Sequence, residues 1–256
     1  MRQFHAIAFL LAAFAAAGYA QVPITVVNGA GFQTGAPVAP GSYAQVWGDY
    51  QGFPTENANL GQLPLPTSLG SVEVRVDGMA APLYAVTPIV CAFNVPSPVA
   101  KGRHQIQVLH AGQVVGQGNI DVVDAFPGIF YSPINGIDVG GIRRATDSAY
   151  ALSGTPAHRG GYIVIALTGQ GPNVNQPVAD GQAPAGPEST TQVTPRVFIA
   201  GVETEAPSYS GLMPVYPGLW QINVRIPDKP FIKGMVPLFV TYGDLASNTV
   251  AFWVEE

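Results

Sequence analysis

The chain has 256 residues, of which 30 are glycine and 24 proline, with only 16 acidic and 11 basic side chains and a net charge of −5. So many helix-weakening residues exclude a fold of long helices, and the glycines lack the three-residue period of collagen. With 47% hydrophobic residues the chain has ample apolar surface to fold around, and the absence of a Lys/Arg cluster argues against a nucleic-acid partner. A turn-rich all-β protein is expected.

At the N-terminus, Arg2 and His5 precede an unbroken apolar run over residues 6–17, followed by Gly18-Tyr19-Ala20. This is the pattern of a secretory signal peptide spanning residues 1–20, with small residues placed for cleavage after Ala20. The run is too short to cross a hydrocarbon core comfortably, and no later stretch approaches the length needed. A secreted, periplasmic or extracellular protein with no transmembrane segment after cleavage is therefore expected. The first strand signal is Gly41-Ser-Tyr-Ala-Gln-Val-Trp-Gly48, followed by a Pro/Gly-rich loop over residues 52–66. In Ser71-Val-Glu-Val-Arg-Val-Asp77 the valines alternate with polar residues, the two-residue period of a strand with one wet face. Cys91 is the sole cysteine and lies within the apolar run of residues 88–93, so it reads as a small buried hydrophobe and the fold cannot rest on an internal disulfide. In Arg103-His-Gln-Ile-Gln-Val-Leu-His110 the two histidines share a face with Ile106 and Val108. Residues 162–167 and 237–242 are apolar on both faces and are expected as central strands, while Trp220-Gln-Ile-Asn-Val-Arg-Ile226 alternates again. Trp220 and Trp253 read as core. Asp77-Gly78, Ala111-Gly112 and Tyr242-Gly243-Asp244 mark turns.

The order of these signals repeats. A glycine-bounded strand (residues 41–48 and 161–169) leads to a long loop (52–66 and 171–195) and a strand closing on glycine (72–78 and 197–201). An Ala-Pro-x-Tyr step follows (Ala81 to Tyr84, Ala206 to Tyr209), then a strand ending in proline (Pro96, Pro227). We therefore expect two tandem immunoglobulin-like β-sandwich domains over residues 21–125 and 126–256.

Phe126-Pro-Gly-Ile-Phe130, Thr168-Gly-Gln-Gly-Pro172, Tyr209-Ser-Gly-Leu-Met-Pro214, Pro217-Gly-Leu-Trp-Gln-Ile-Asn-Val-Arg-Ile-Pro227 and Ser247-Asn-Thr-Val250 carry a resemblance. Together they resemble the uncharacterised C-terminal domain family abundant in Acidobacteria of the Solibacter type, with an immunoglobulin-like fold of the IPT/TIG kind. The resemblance covers residues 126–256 and implies a fold and an exported location. It implies no activity. The first copy is a more distant match, because Val90-Cys-Ala-Phe-Asn-Val-Pro96 lacks the Gln-x-Asn of Gln221 and Asn223.

Little in the sequence declares a reaction. No Gly-x-Ser-x-Gly elbow is present, and His104 and His110 fall at opposite ends of one strand face, too far apart to share a metal. His158 precedes Arg159-Gly160-Gly161 at a loop junction and reads as exposed. Two acids brought together by the fold would suffice for a secreted glycoside hydrolase, and the long loops offer Asp49, Glu56, Asp180 and Glu188. Asp121, Asp124 and Asp138 bracket the domain boundary as weak calcium candidates, without an Asp-x-Asp-x-Asp-Gly loop. Tyr43 and Trp47 share one strand face and Tyr50 follows closely, a candidate aromatic platform for sugar rings or a protein. The expectation is a non-catalytic structural or interaction module at the cell surface, with no cofactor and with a protein or polysaccharide as partner. A carbohydrate-binding protein using Tyr43, Trp47 and Tyr50 is the alternative, and a secreted glycoside hydrolase the next.

Overall fold

A computed structural model describes residues 21–172 and 174–256. The expected signal peptide lies outside the described residues. Among these, no α-helix occurs, and none is long and apolar enough to cross a membrane. The protein is all-β, built of two tandem immunoglobulin-like sandwiches.

The first sandwich contains β1 (Thr25–Asn28), β2 (Tyr43–Trp47), β3 (Glu56–Asn57), β4 (Val72–Val76), β5 (Met79–Ala80), β6 (Leu83–Val86), β7 (Val90–Asn94), β8 (Gly102–His110) and β9 (Gln113–Val122). Its sheets run β1-β2-β7-β6-β3 and β5-β4-β8-β9. The second contains β10 (Gly128–Ile129), β11 (Tyr131–Ile134), β12 (Ile137–Gly140), β13 (Ile142–Arg144), β14 (Ala157–His158), β15 (Tyr162–Thr168), β16 (Arg196–Ile199), β17 (Val202–Glu203), β18 (Tyr209–Leu212), β19 (Leu219–Arg225), β20 (Gly234–Tyr242), β21 (Leu245–Ala246) and β22 (Val250–Glu255). Its sheets run β10-β15-β19-β18 and β11-β12-β22-β20-β16-β17. The copies correspond strand by strand: β1-β2-β7-β6 repeats as β10-β15-β19-β18, and β5-β4-β8-β9 as β17-β16-β20-β22. The second copy adds the β11–β12 hairpin at the edge of its larger sheet.

Alternation dictates which faces close. In β4 the three valines are buried and Glu73 and Arg75 are half-exposed; in β19 Trp220, Ile222 and Val224 are buried. Two cores result, one formed by residues such as Val46, Val74, Phe93 and Ile106, the other by Ile165, Trp220, Leu238 and Phe252, each large side chain contributing about 1.5–3 kcal/mol on burial. The first core ends at Val122 and the second begins at Ala125. Turn chemistry sets the registers. Asp77-Gly78, Ala111-Gly112, Asn135-Gly136 and Ala200-Gly201 each place two successive residues at positive φ, which the two-residue hairpins β4–β5, β8–β9, β11–β12 and β16–β17 require.

Two details differ from the sequence reading. β20 is central, between β16 and β22, but Met235 and Pro237 on its outer face are exposed, and Phe239 there is half-buried, stacked on Phe198 at 4.8 Å. Trp253 is not core. It is half-buried on the outer face of β22, opposite Met235, because its parity is the reverse of Phe252 and Val254.

Candidate functional site

β2 carries the candidate aromatic face, with Ala44 and Val46 turned into the core and Tyr43, Gln45 and Trp47 outward. The second domain covers one end of that outward face. The Tyr43 ring packs edge-on against Tyr84 at 5.1 Å and against Phe130 of the second domain at 5.7 Å, and its hydroxyl accepts a bond from Gln45 Nε2 at 3.1 Å. Burial raises the Tyr43 phenol above its ordinary value. Tyr50 is buried, contrary to the expected exposed platform. After Gly48 the chain leaves the strand, Tyr50 N–H donates to the Pro88 carbonyl at 2.8 Å, and the ring folds back over Gly48 and stacks on Phe53 at 4.8 Å. A Cβ on Gly48 would lie 2.6 Å from the Tyr50 ring, so glycine is what admits it. Trp47 alone of the three is exposed, at 38%. Strand pairing sets half-buried Val90 of β7 opposite Trp47, while Ile89, 57% exposed, lies in the adjoining turn, its carbonyl accepting from Gly48 N–H at 3.1 Å.

The covered end is a polar seam between the domains. Thr168 Oγ accepts from the Tyr43 backbone N–H at 2.9 Å and donates to the Gly218 carbonyl at 2.7 Å. Asn28 Nδ2 donates to the Phe126 carbonyl at 2.9 Å, while its Oδ1 accepts from the N–H groups of Ala30 and Gly31 at 3.0 and 3.1 Å. The Tyr84 hydroxyl and Asn94 Nδ2 both donate to the Pro217 carbonyl. Asp180 accepts from the Ser97 N–H and from its hydroxyl, the latter at 2.5 Å, and Leu65 N–H reaches the Gly181 carbonyl at 2.9 Å. Gly218 permits this approach, since a Cβ there would lie 2.0 Å from Asn94 Nδ2, and Gly169 supports it from within the second domain: at φ +94, its Cβ would lie 1.8 Å from the Phe126 carbonyl oxygen that accepts from Asn28. The Thr168-Gly-Gln-Gly, Phe126-Pro-Gly and Pro217-Gly motifs are thus the second domain's half of the seam. Sequence reasoning met them as marks of resemblance and did not assign them this role; glycines flanked by strand signals on both copies were the available clue.

A cleft of about 90 Å³ lies along the seam, lined by Gly41, Asn94, Ser97, Gln170, Asp180 and Leu212 among others. Asn94 Oδ1 and Gln170 Oε1 lack hydrogen-bond partners, but both are shut away from solvent, so they are not presented to a group bound in the cleft. The acids of the long loops are engaged separately: Asp49 accepts from Gln51, Asp180 from Ser97, and Glu56 and Glu188 are exposed. The calcium candidates do not converge. Asp121 lies on β9 opposite Arg103, Asp124 pairs with Lys101 at 3.0 Å, and Asp138 is exposed on β12. Among the described residues no group of three or more His, Cys, Asp and Glu gathers that could hold a metal. Cys91 is fully buried and its thiol is pushed up to about 12 by that burial, so it is a packing residue rather than a thiolate. His104 and His110 sit at the two ends of β8, and His158 is exposed near the C-terminus.

No protein-family model matches the sequence, and no curated protein does. Among solved structures, the extracellular region of plexin A4 aligns over 98% of this chain and 20% of its own, at 10% identity and a TM-score of 0.28. A titin fragment aligns over 91% of this chain and 66% of its own, at 10% identity and a TM-score of 0.25. Domains of the surface layer protein SbsC align over 90% of this chain and 30% of their own, at 16% identity and a TM-score of 0.25. The chain spans about a fifth of the plexin A4 chain it matches. The likeness is one of all-β chains and bears on neither activity nor partner.

Proposed function

We propose that this chain is a non-catalytic, exported module in which two immunoglobulin-like sandwiches are held as one unit and one end of the β2 face contacts a protein at the cell surface. The observation that carries this reading is exposed Trp47, opposite half-buried Val90, at the end of a sheet whose other end is occupied by the second domain. A tryptophan with an aliphatic neighbour supplies large contact area at low entropic cost, the usual anchor of a protein interface. The carbohydrate reading loses its platform, since Tyr50 is inside the core and Tyr43 is committed to the seam. The leader-like segment over residues 1–20 and the resemblance of residues 126–256 to an exported domain family support export.

Two measurements test it. A photo-crosslinking amino acid placed at position 47 in cells secreting the protein should trap a protein partner, whereas one placed at Tyr162 should not. The N-terminus of the exported protein, read by mass spectrometry, should be Gln21. Saturable quenching of tryptophan fluorescence by a polysaccharide, lost in Trp47→Ala, would replace the protein partner by a sugar.

A further inference from the structure

His104 lies in a setting that a neutral imidazole cannot satisfy. Its Nδ1 is 2.6 Å from Asp77 Oδ2 and its Nε2 is 2.7 Å from the Ala100 carbonyl oxygen. Both neighbours only accept hydrogen bonds, and a neutral ring has one N–H to offer; the imidazolium has two and serves both. Asp77 is itself fixed, because its second oxygen accepts from the Gln105 N–H at 2.9 Å and its own N–H donates to the Gln105 carbonyl at 2.9 Å. The ring therefore ties the β4–β5 turn to the loop of residues 96–101. That loop carries Ser97, which binds Asp180 of the second domain through N–H and hydroxyl, and Lys101, which pairs with Asp124 between the two cores.

We propose that His104 is a proton-operated clamp on the 96–101 loop, holding Ser97 in place against Asp180 of the second domain while the ring is charged and releasing it when the ring loses its proton. The other charged groups around the ring act on it little. Lys101 and Asp124 neutralise one another at 3.0 Å, and Arg103 faces Asp121 across β8 and β9. The bond from Asp77 is the main cause that raises His104 above its ordinary value of 6.5, with the Ala100 carbonyl adding to it, and the same bond lowers Asp77. The clamp accordingly holds in the window between the two, where Asp77 is ionised and His104 protonated. It is lost as pH rises through the raised histidine value, and lost again as pH falls through the lowered carboxylate value.

Nuclear magnetic resonance of the isotopically labelled chain, titrated from about pH 5 to about pH 9, tests this by following the His104 ring and the Ser97 amide together. The expected result is a His104 midpoint above 6.5 and an inflection of the Ser97 amide at that same midpoint. In His104→Gln the Ser97 inflection should vanish. Asp77→Asn, which keeps a residue tolerant of the positive φ at that turn, should bring the histidine midpoint down to 6.5 or below. A wild-type midpoint at or below 6.5, or a Ser97 amide that does not respond at the His104 midpoint, would overturn the proposal.

Discussion

At one end of β2 the ring of Tyr43 is packed between Tyr84 and Phe130 and its backbone N–H is held by Thr168; on the same face of the strand, Trp47 is 38% exposed opposite Val90. Strand parity treats these two aromatic residues identically. What separates them is a second domain that reaches one end of the sheet and not the other. The covered end is mostly polar, joined by backbone carbonyls, two asparagines and a buried threonine. The open end presents Trp47 between Thr25 of β1 and Val90 of β7. A seam made of directional bonds fixes how the domains meet, because each bond left unmade in a buried site costs about 1–3 kcal/mol.

Damage to the covered end should be large and should leave the open end untouched. The largest effect is expected from Gly169→Ala. The new methyl would fall 1.8 Å from the Phe126 carbonyl oxygen, on a backbone already at φ +94, so the chain must move. A loss of roughly 3 kcal/mol or more is expected, read by chemical denaturation, together with faster hydrogen exchange at the Tyr43 amide and no change at the Trp47 amide. Thr168→Val comes next. It keeps the shape of a fully buried side chain but strands the Tyr43 N–H and the Gly218 carbonyl, and should cost about 2–3 kcal/mol. If either change left the Tyr43 amide as protected as before, the seam would not be what holds that end of β2.

Much of the fold was legible because its signals are local. The valines of β4, the Trp220 face of β19 and the Asp77-Gly78 and Ala111-Gly112 turns each announce themselves within a few residues, and their order revealed the repeat. The site was less legible. A bond between Tyr43 and Thr168, or Asn94 and Pro217, joins residues more than a hundred apart in sequence and has no periodic signature. Parity placed Tyr43 on the outer face correctly but could not say what covers it. Tyr50 failed for another reason: alternation ends at Gly48, and beyond it the side chain's direction follows from the close approach that glycine permits. Trp253 shows the converse, since its apolar companions on β22 suggested core while its parity against Phe252 and Val254 put it outside.

The smallest effect on folding is expected at the open end, and there its smallness is the point. Trp47 is 38% exposed and lies outside the cluster that forms the first core, so Trp47→Ala should shift stability by only about 0.5 kcal/mol. Trp220→Ala, which empties a fully buried indole position and removes its bond to the Ser210 hydroxyl, should cost about 3–5 kcal/mol in the same denaturation experiment. Under the proposed interface reading, Trp47 contributes to binding more than to folding. If Trp47→Ala instead destabilised the chain as much as a core substitution, the residue would be packing structure, and the contrast between the two ends of β2 would be one of degree.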